Sequence, residues 1–357
     1  MTTPTLLGRP VCAVVVLLTA ACGAAGASSA DLPASTATVA PVTPSTLPLY
    51  VPPVAPVAGA GESTGEQPPL VTVAVDEPAM LPVTVASADG TEVTIADRSR
   101  ILPLWSNLSE IVFGLGLGEH VVGRDASATF AEAAHLPLVT RGHDVSAESV
   151  LSLRPTVVLA QTDTGPAEAL DQIRAAGVPV LVLDTPTSVS DATARISAVA
   201  TALGVPRAGA ELATRTDAAI EAVLADVPHD RAPVRVAFLY LRGSAGVYLL
   251  GGPGSGADSM LAAAGAVDAG TWMGLERAFT PLTSEALAAA APDAILMTTT
   301  GLESIGGIDQ LVQIPGVAQT PAGEHRRVIT VEDSLLYSFG ARTPQAIADI
   351  VRQLYPE

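Results

Sequence analysis

Hydrophobic positions change spacing along the chain, and the spacing predicts the elements. In VTVASADGTEVTI, residues 83–95, apolar and polar positions alternate with period two around Asp89-Gly90, which predicts a hairpin with a DG turn. From Arg100 the pattern becomes alternating strand and helix. RILPLW runs into a helix at residues 107–115, and VVGRD reads as a strand. SAESVLSLRP reads as a helix ended by Pro155, TVVLA as a buried strand, PAEALDQIRAAG as a helix closed by Gly177, and VPVLVLD as a strand. Residues 190–204 and 208–224 carry apolar residues at helical spacing. Then VRVAFLYL, the hairpin-like GVYLLGG, the helices SMLAAAG and SEALAAAAP, the strand DAILMTT, GIDQLVQI, RVITV and a final helix TPQAIADIVRQLY follow.

Short apolar strands alternating with helices imply an α/β fold with parallel sheets. The two halves also echo each other. SAESVLSLRPTVVLAQTDTGPAEALDQI starts at Ser146, and TSEALAAAAPDAILMTTTGLESIGGIDQL starts at Thr283. Both run helix, Pro, apolar strand, polar loop with one Glu, then a helix with Asp-Gln-Ile/Leu. A repeat this long predicts two similar Rossmann-like lobes, not a solenoid. The helical stretch between them becomes a stiff link, and the C-terminal ends of the strands face a shared cleft. The expected divisions are residues 71–190 for the N-terminal lobe with its leading hairpin, 191–228 for the linking helices and 229–357 for the C-terminal lobe.

The first 70 residues follow another pattern. Arg9 precedes the apolar run VCAVVVLLTA at residues 11–20, which is too short to span a bilayer and ends in small residues, so residues 1–22 predict an export signal. Ala21-Cys22-Gly23 resembles a bacterial lipobox, with Thr19 standing where an aliphatic residue is usual. That resemblance implies cleavage before Cys22, acylation of its thiol and a lipid anchor on the outer face of the cell membrane; a plain secretory signal is the alternative. Residues 23–70 are rich in Ala, Pro and Thr and have no period, as expected of a flexible tether.

Composition narrows the function. At 357 residues the chain is long enough for about two domains. Its formal net charge of -18 argues against nucleic acid as a partner, because phosphate binding needs clustered cations. All 18 basic residues are Arg, so there is no P-loop. GGPGSGAD lacks the outer glycines of a nucleophile elbow. Gly252, Gly254 and Ala257 fit G-x-G-x-x-A after a strand, but the acids that follow, Asp268 and Glu276, do not end an apolar run. A dinucleotide-dependent enzyme therefore remains only a distant alternative, and no catalytic residue is expected. Cys12 and Cys22 both precede residue 23, so the rest of the chain has no disulfide.

Candidate chemistry is sparse. No two of the five histidines have metal-ligand spacing. His143 stands out because it lies in TRGHDVSAES, just before a helix that Ser146 can cap; it reads as a loop histidine or as a cleft ligand. Tyr240 ends the strand VRVAFLY and is followed by Leu241-Arg242-Gly243, so period two puts Tyr240 and Arg242 on one side. A cation beside a phenol favours phenolate, a hard oxygen ligand for Fe(III). The alternative is a tyrosine ending a strand beside a solvated arginine. Met297 ends DAILM and can face a flat ligand or pack in the core. Trp105, Trp272, Tyr337 and Arg342 sit at other strand or loop ends as possible wall or propionate contacts. Glu168 and Glu303 occupy like places in the repeat, as surface acids at helix starts or as docking residues.

From about Arg100 to the end, the chain resembles the haem-binding lipoproteins of bacterial ABC importers, in the helical-backbone class that also holds ferric-siderophore and vitamin B12 binders. The class-level match lies in RILPLWSNLSEIVFGLGLGEHVVGRD, in SAESVLSLRPTVVLA with its echo, and in FGARTPQAIADIV. The haem-level match is RGH before SAE and the Y-x-R of the second lobe. The resemblance implies haem b as transported ligand, His143 and Tyr240 as axial iron ligands from opposite lobes, and Arg242 hydrogen-bonded to the Tyr240 oxygen. It also implies Glu168 and Glu303 as the pair that meets the permease. The expected protein is a monomeric, non-enzymatic receptor that receives haem, in one version from surface donor proteins, and passes it to an ABC permease and its ATPase. A ferric siderophore or cobalamin is the alternative ligand.

Overall fold

The computed structural model describes residues 70–356 apart from His143 and His229. The expected export signal, Cys22 and the tether up to residue 69 lie outside the described residues. The leading hairpin pairs β1 (Val83–Ala86) with β2 (Glu92–Ile95) antiparallel, and Gly90 takes the left-handed conformation its turn requires. Val93 and Ile95 face the core, whereas the Thr84 and Thr94 hydroxyls bond to each other on the outer face at 2.8 Å. Period two is thus realised as one buried and one wet side.

The first lobe is built on β3 (Ile101–Pro103), which leads into α1 (Ser106–Gly114). The short strands β4 (Thr140–Arg141) and β5 (Asp144–Val145) come next, then α2 (Ala147–Ser152), β6 (Val157–Gln161), α3 (Ala167–Ala175) and β7 (Val180–Leu183). The sheet order is β3-β6-β7, all parallel. All five residues of β6 are buried, as a central parallel strand covered on both faces requires. Ser146 caps α2 by accepting the Ser149 N–H. VVGRD forms only single bridges, Val121 to Ile101 and Arg124 to Leu138, because this segment touches the sheet at one point and then turns away.

Two helices connect the lobes: α4 (Asp191–Ala202) and α5 (Pro206–Ala225). At 20 residues, α5 is about 30 Å long. Pro206 opens it, where a missing N–H costs nothing. Its N-terminal half gives Ala208 and Leu212 to the core of the first lobe, while Ile220 joins the core of the second. In α4, Ile196, Val199 and Ala200 join the first core and Ala192 the second. Both helices therefore belong to both lobes.

The second lobe opens with β8 (Arg235–Arg242) and β9 (Val247–Gly251). It continues through α6 (Ala257–Ala263), β10 (Val267–Asp268), α7 (Ala269–Trp272), β11 (Phe279–Pro281), α8 (Ser284–Ala290) and β12 (Ala294–Thr298). Then come α9 (Thr299–Ser304), α10 (Ile308–Leu311), α11 (Pro321–Glu324), β13 (Val328–Val331), α12 (Asp333–Leu336) and α13 (Thr343–Leu354). The sheet order is β11-β9-β8-β12-β13, with β10 along the start of β8. β8, β10, β12 and β13 run parallel, whereas β9 is reversed and pairs antiparallel with both β8 and β11. The expected parallel sheet is present, and the hairpin-like GVYLLGG supplies β9 against β8. Only a short turn ending at left-handed Gly246 joins β8 to β9, and a parallel partner would need a long crossover.

At the crossing of α4 and α5, a Cβ on Gly209 would stand 2.3 Å from the Ala200 Cβ. Alanine favours a helix interior over glycine by about 1 kcal/mol. The overlap at so close a contact costs more, about 1–3 kcal/mol, because the two helices must separate. Gly209→Ala is therefore expected to lower stability in a urea titration despite its better helix propensity. An increase would mean that the helices part freely.

Candidate functional site

The C-terminal ends of the inner strands carry the residues of interest. Along β8, Leu241 is buried while Tyr240 and Arg242 are half-buried on the opposite face. The Arg242 guanidinium carbon lies 4.5 Å from the centroid of the Tyr240 ring. The cation therefore meets the ring face, and among the described residues no hydrogen bond joins Arg242 to the Tyr240 hydroxyl, contrary to the contact expected from the resemblance. Arg242 is drawn inward by three acceptors: the Leu241 carbonyl at 2.9 Å, the Thr298 hydroxyl at 3.2 Å and the Asp333 carboxylate at 2.7 Å.

Tyr240 also belongs to an aromatic cluster. Its ring stands edge-on to Phe279 at 5.8 Å, Phe279 meets Phe238 at 6.1 Å, and Phe238 meets Tyr337 at 6.4 Å. Of five Phe and five Tyr in the chain, two of each meet here, in spacings at which aromatic pairs attract beyond their area. Burial pushes the Tyr337 phenol above the ordinary tyrosine range, so it stays neutral. Tyr337 was among the expected wall residues. Phe238 was legible two positions before Tyr240 on the same face, whereas no local pattern marked Phe279.

Other candidates fall elsewhere. Met297 is 0% exposed and packs in the core with Leu239, Leu241, Leu287 and Leu311. The expectation that it faces a ligand is corrected, since β12 is an inner strand and residue 297 points into the helix layer behind the sheet. Trp272 is 55% exposed and lies under the Arg235 guanidinium, 4.0 Å from its ring centroid. Arg235 begins β8, about 16 Å along the strand from Tyr240, so Trp272 is no wall of this site. Trp105 does sit at the end of β3, where its indole N–H donates to the Thr164 hydroxyl at 2.8 Å.

His143 lies outside the described residues; its neighbours Arg141 and Asp144 are exposed at the ends of β4 and β5. Glu168 and Glu303 are both exposed, but on helices and not in loops. Glu168 occupies the first turn of α3 and Glu303 the last turn of α9, because the second lobe interposes α9 before the helix that carries its Asp-Gln-Leu. In the Gly252 loop, Asp258 accepts the Gly254 N–H and Asp268 accepts from Thr271, so both acids close local turns. A separate cavity of about 680 Å³ lies between β1, β7 and α4, and none of the candidate ligand residues lines it.

Beneath the strand ends, a polar seam joins the lobes. Arg342, expected as a propionate contact, is 1% exposed and pairs at 2.6 Å with Glu110 of α1, which is 0% exposed. Ser106 donates to the same carboxylate, and Arg342 also donates to Ser334 at 2.8 Å. Glu332 accepts the Thr129 hydroxyl at 2.8 Å, and Asn107 donates to the Tyr337 carbonyl. In the first lobe, Arg195 donates to Asn107, Gln161 and the Asp184 carbonyl; burial lowers it to about 10, still a cation at neutral pH.

Burial pushes the Glu110 carboxyl up, and the Arg342 guanidinium opposes that shift. Arg342→Met leaves the carboxylate buried without its cation and should cost about 3–5 kcal/mol near neutral pH. A group whose folded value is raised stabilises below its unfolded value and loses that contribution as pH rises through the folded value. Arg342→Met should therefore regain stability between pH 7.5 and 5 in urea titrations, and Glu110→Leu/Arg342→Met should recover most of the loss at both. A variant equally weak at both pH values would mean that the loss is packing alone.

A family model described as periplasmic binding protein matches residues 104–335. An uncharacterized ABC transporter substrate-binding lipoprotein, YvrC of Bacillus subtilis, is 25% identical over 290 residues, covering 78% of this chain and 87% of that protein. The crystal structure of the haem-binding protein HmuT superposes with a TM-score of 0.76 at 37% identity, covering 81% of this chain and 94% of that one. Three further structures of HmuT carry single replacements, of a histidine, a tyrosine and an arginine, by alanine. The periplasmic haem-binding protein RhuT from Roseiflexus sp. RS-1 matches with a TM-score of 0.69 at 42% identity, covering 72% of this chain and 98% of that one.

Proposed function

This chain belongs to the periplasmic binding protein family, and we propose that within it the chain is an extracytoplasmic receptor that captures haem and delivers it to an ABC permease. One observation carries the reading: a half-buried phenol near the end of β8, with a guanidinium on its ring, set in an aromatic cluster. Haem is cargo here, and its iron supplies the acceptor for an axial oxygen. Tyr240 offers that oxygen, and Arg242 supplies positive charge beside its ring. Phe279 and Tyr337 offer half-buried apolar surface suited to a flat macrocycle. His143 is the proposed second axial ligand, from the other lobe. The similarity to haem-binding proteins at 37% and 42% identity supports the haem reading. A vitamin B12-binding protein of Yersinia pestis is 30% identical over 86 residues, 24% of this chain, which keeps cobalamin as the second reading.

Delivery would use the surfaces of both lobes. Glu168 and Glu303 are the proposed contacts for cations of the permease, whose ATPase drives release. An acylated Cys22 and the tether that follows it would hold the receptor at the membrane. Relatives named for substrate binding support a carrier and not an enzyme.

The decisive experiment is an absorbance titration of hemin into the protein. A saturating Soret band is expected, shifted in both Tyr240→Ala and His143→Ala. Tyr240→Ala should weaken binding by at least about tenfold, the equivalent of 1.4 kcal/mol, and by more than Arg242→Ala. A band unchanged by either ligand substitution moves the iron to other residues. No saturable band, with binding of cobalamin instead, overturns haem.

For docking, Glu168→Ala/Glu303→Ala should leave the hemin titration unchanged while uptake by cells carrying the matching permease falls. Uptake at the unaltered rate would remove both residues from the docking surface.

A further inference from the structure

We propose that Asp333 is the positioning residue of the Tyr240 site; the inference rests on the haem reading above and names what holds its arginine in place. Arg242 has three acceptors, two of them neutral, and its ion-pair partner is Asp333 at 2.7 Å. Asp333 belongs to the first turn of α12, directly after β13, and β13 lies two strands from β8 with β12 between them. The carboxylate is fixed on its other oxygen as well, where it accepts the Thr300 N–H at 3.1 Å. Thr298 is 1% exposed; its hydroxyl accepts from Arg242 and also from the Gly301 N–H that opens α9. The guanidinium is thus held against frame atoms of two neighbouring strands. Those contacts leave its carbon 4.5 Å from the Tyr240 centroid.

The Arg242 side chain is 27% exposed and that of Asp333 is 21% exposed. Without the carboxylate, a long flexible side chain at this rim gains solvent and rotamer freedom by leaving the ring. Asp333 therefore acts on the Tyr240 site through Arg242. The same carboxylate anchors the start of α9, on whose last turn Glu303 stands, so the ligand arm and the proposed docking helix share one support.

The test separates this role from helix capping. In the ligand-free protein, a cation held over an aromatic face shows ring-current-shifted side-chain proton resonances. Those of Arg242 should be shifted in the parent, lost in Tyr240→Ala, and lost equally in Asp333→Asn, whose amide oxygen can still accept the Thr300 N–H. Asp333→Ala removes both contacts and is measured beside it. If only the alanine form loses the shift, the carboxylate is a helix cap and the proposal is overturned. In hemin titrations, Asp333→Asn should change the Soret and visible bands as Arg242→Ala does, and the double variant should change them no further. Additive changes would overturn the proposal, since Asp333 would then act independently of Arg242. If the parent gives no hemin band at all, the haem reading fails while the resonance comparison still decides the role of Asp333.

Discussion

The structure depends on the ion pair between Glu110 and Arg342. The two residues are 232 positions apart, one on the first helix of the first lobe and the other just before the last helix of the second. Two charges taken out of water are expensive, and the attraction between them offsets that cost only when further hydrogen bonds hold both in place. Ser106 and Ser334 provide such bonds, one from each lobe. The pair is therefore weak as a source of stability and strong as a constraint, because few relative placements of the lobes satisfy it.

The constraint reaches the Tyr240–Arg242 pair through three consecutive residues. Glu332 bonds across the seam to Thr129, Ser334 accepts from Arg342, and Asp333 between them takes Arg242. The strand end that fixes the lobes thus also fixes the cation at Tyr240. The helices α4 and α5 add to this stiffness, since both contribute side chains to both cores. Rotating one lobe as a rigid body would pull Ile220 or Leu212 from close packing.

Much of this was legible along the chain, because period and punctuation are local properties. The DG hairpin, the apolar run at residues 156–160, Pro155 and the repeated helix-strand units all act within a few residues of themselves. The pairing of Tyr240 with Arg242 on one strand face followed from the two-residue period alone. The fate of Met297 did not, because a thioether at a strand end can face cleft or core equally, and only the position of β12 between β8 and β13 decides it. Glu168 and Glu303 looked equivalent, since counting residues across a repeat does not reveal that one lobe interposes an extra helix.

What the sequence determined by itself was therefore the kind of molecule: alternating α/β units in two related halves, joined by a helical link, with one phenol and one guanidinium poised on a strand end. What only the tertiary structure decided was which charges meet. Arg342 could have faced a ligand, yet it serves Glu110. Arg242 could have bonded a phenol oxygen, yet Asp333 holds it against the ring. Phe279 enters the site from an edge strand with no signal of its own. The physical reason is common to all three: electrostatic and aromatic contacts depend on distances of a few ångströms, and distances between residues far apart in the chain exist only once the sheets and helices have packed.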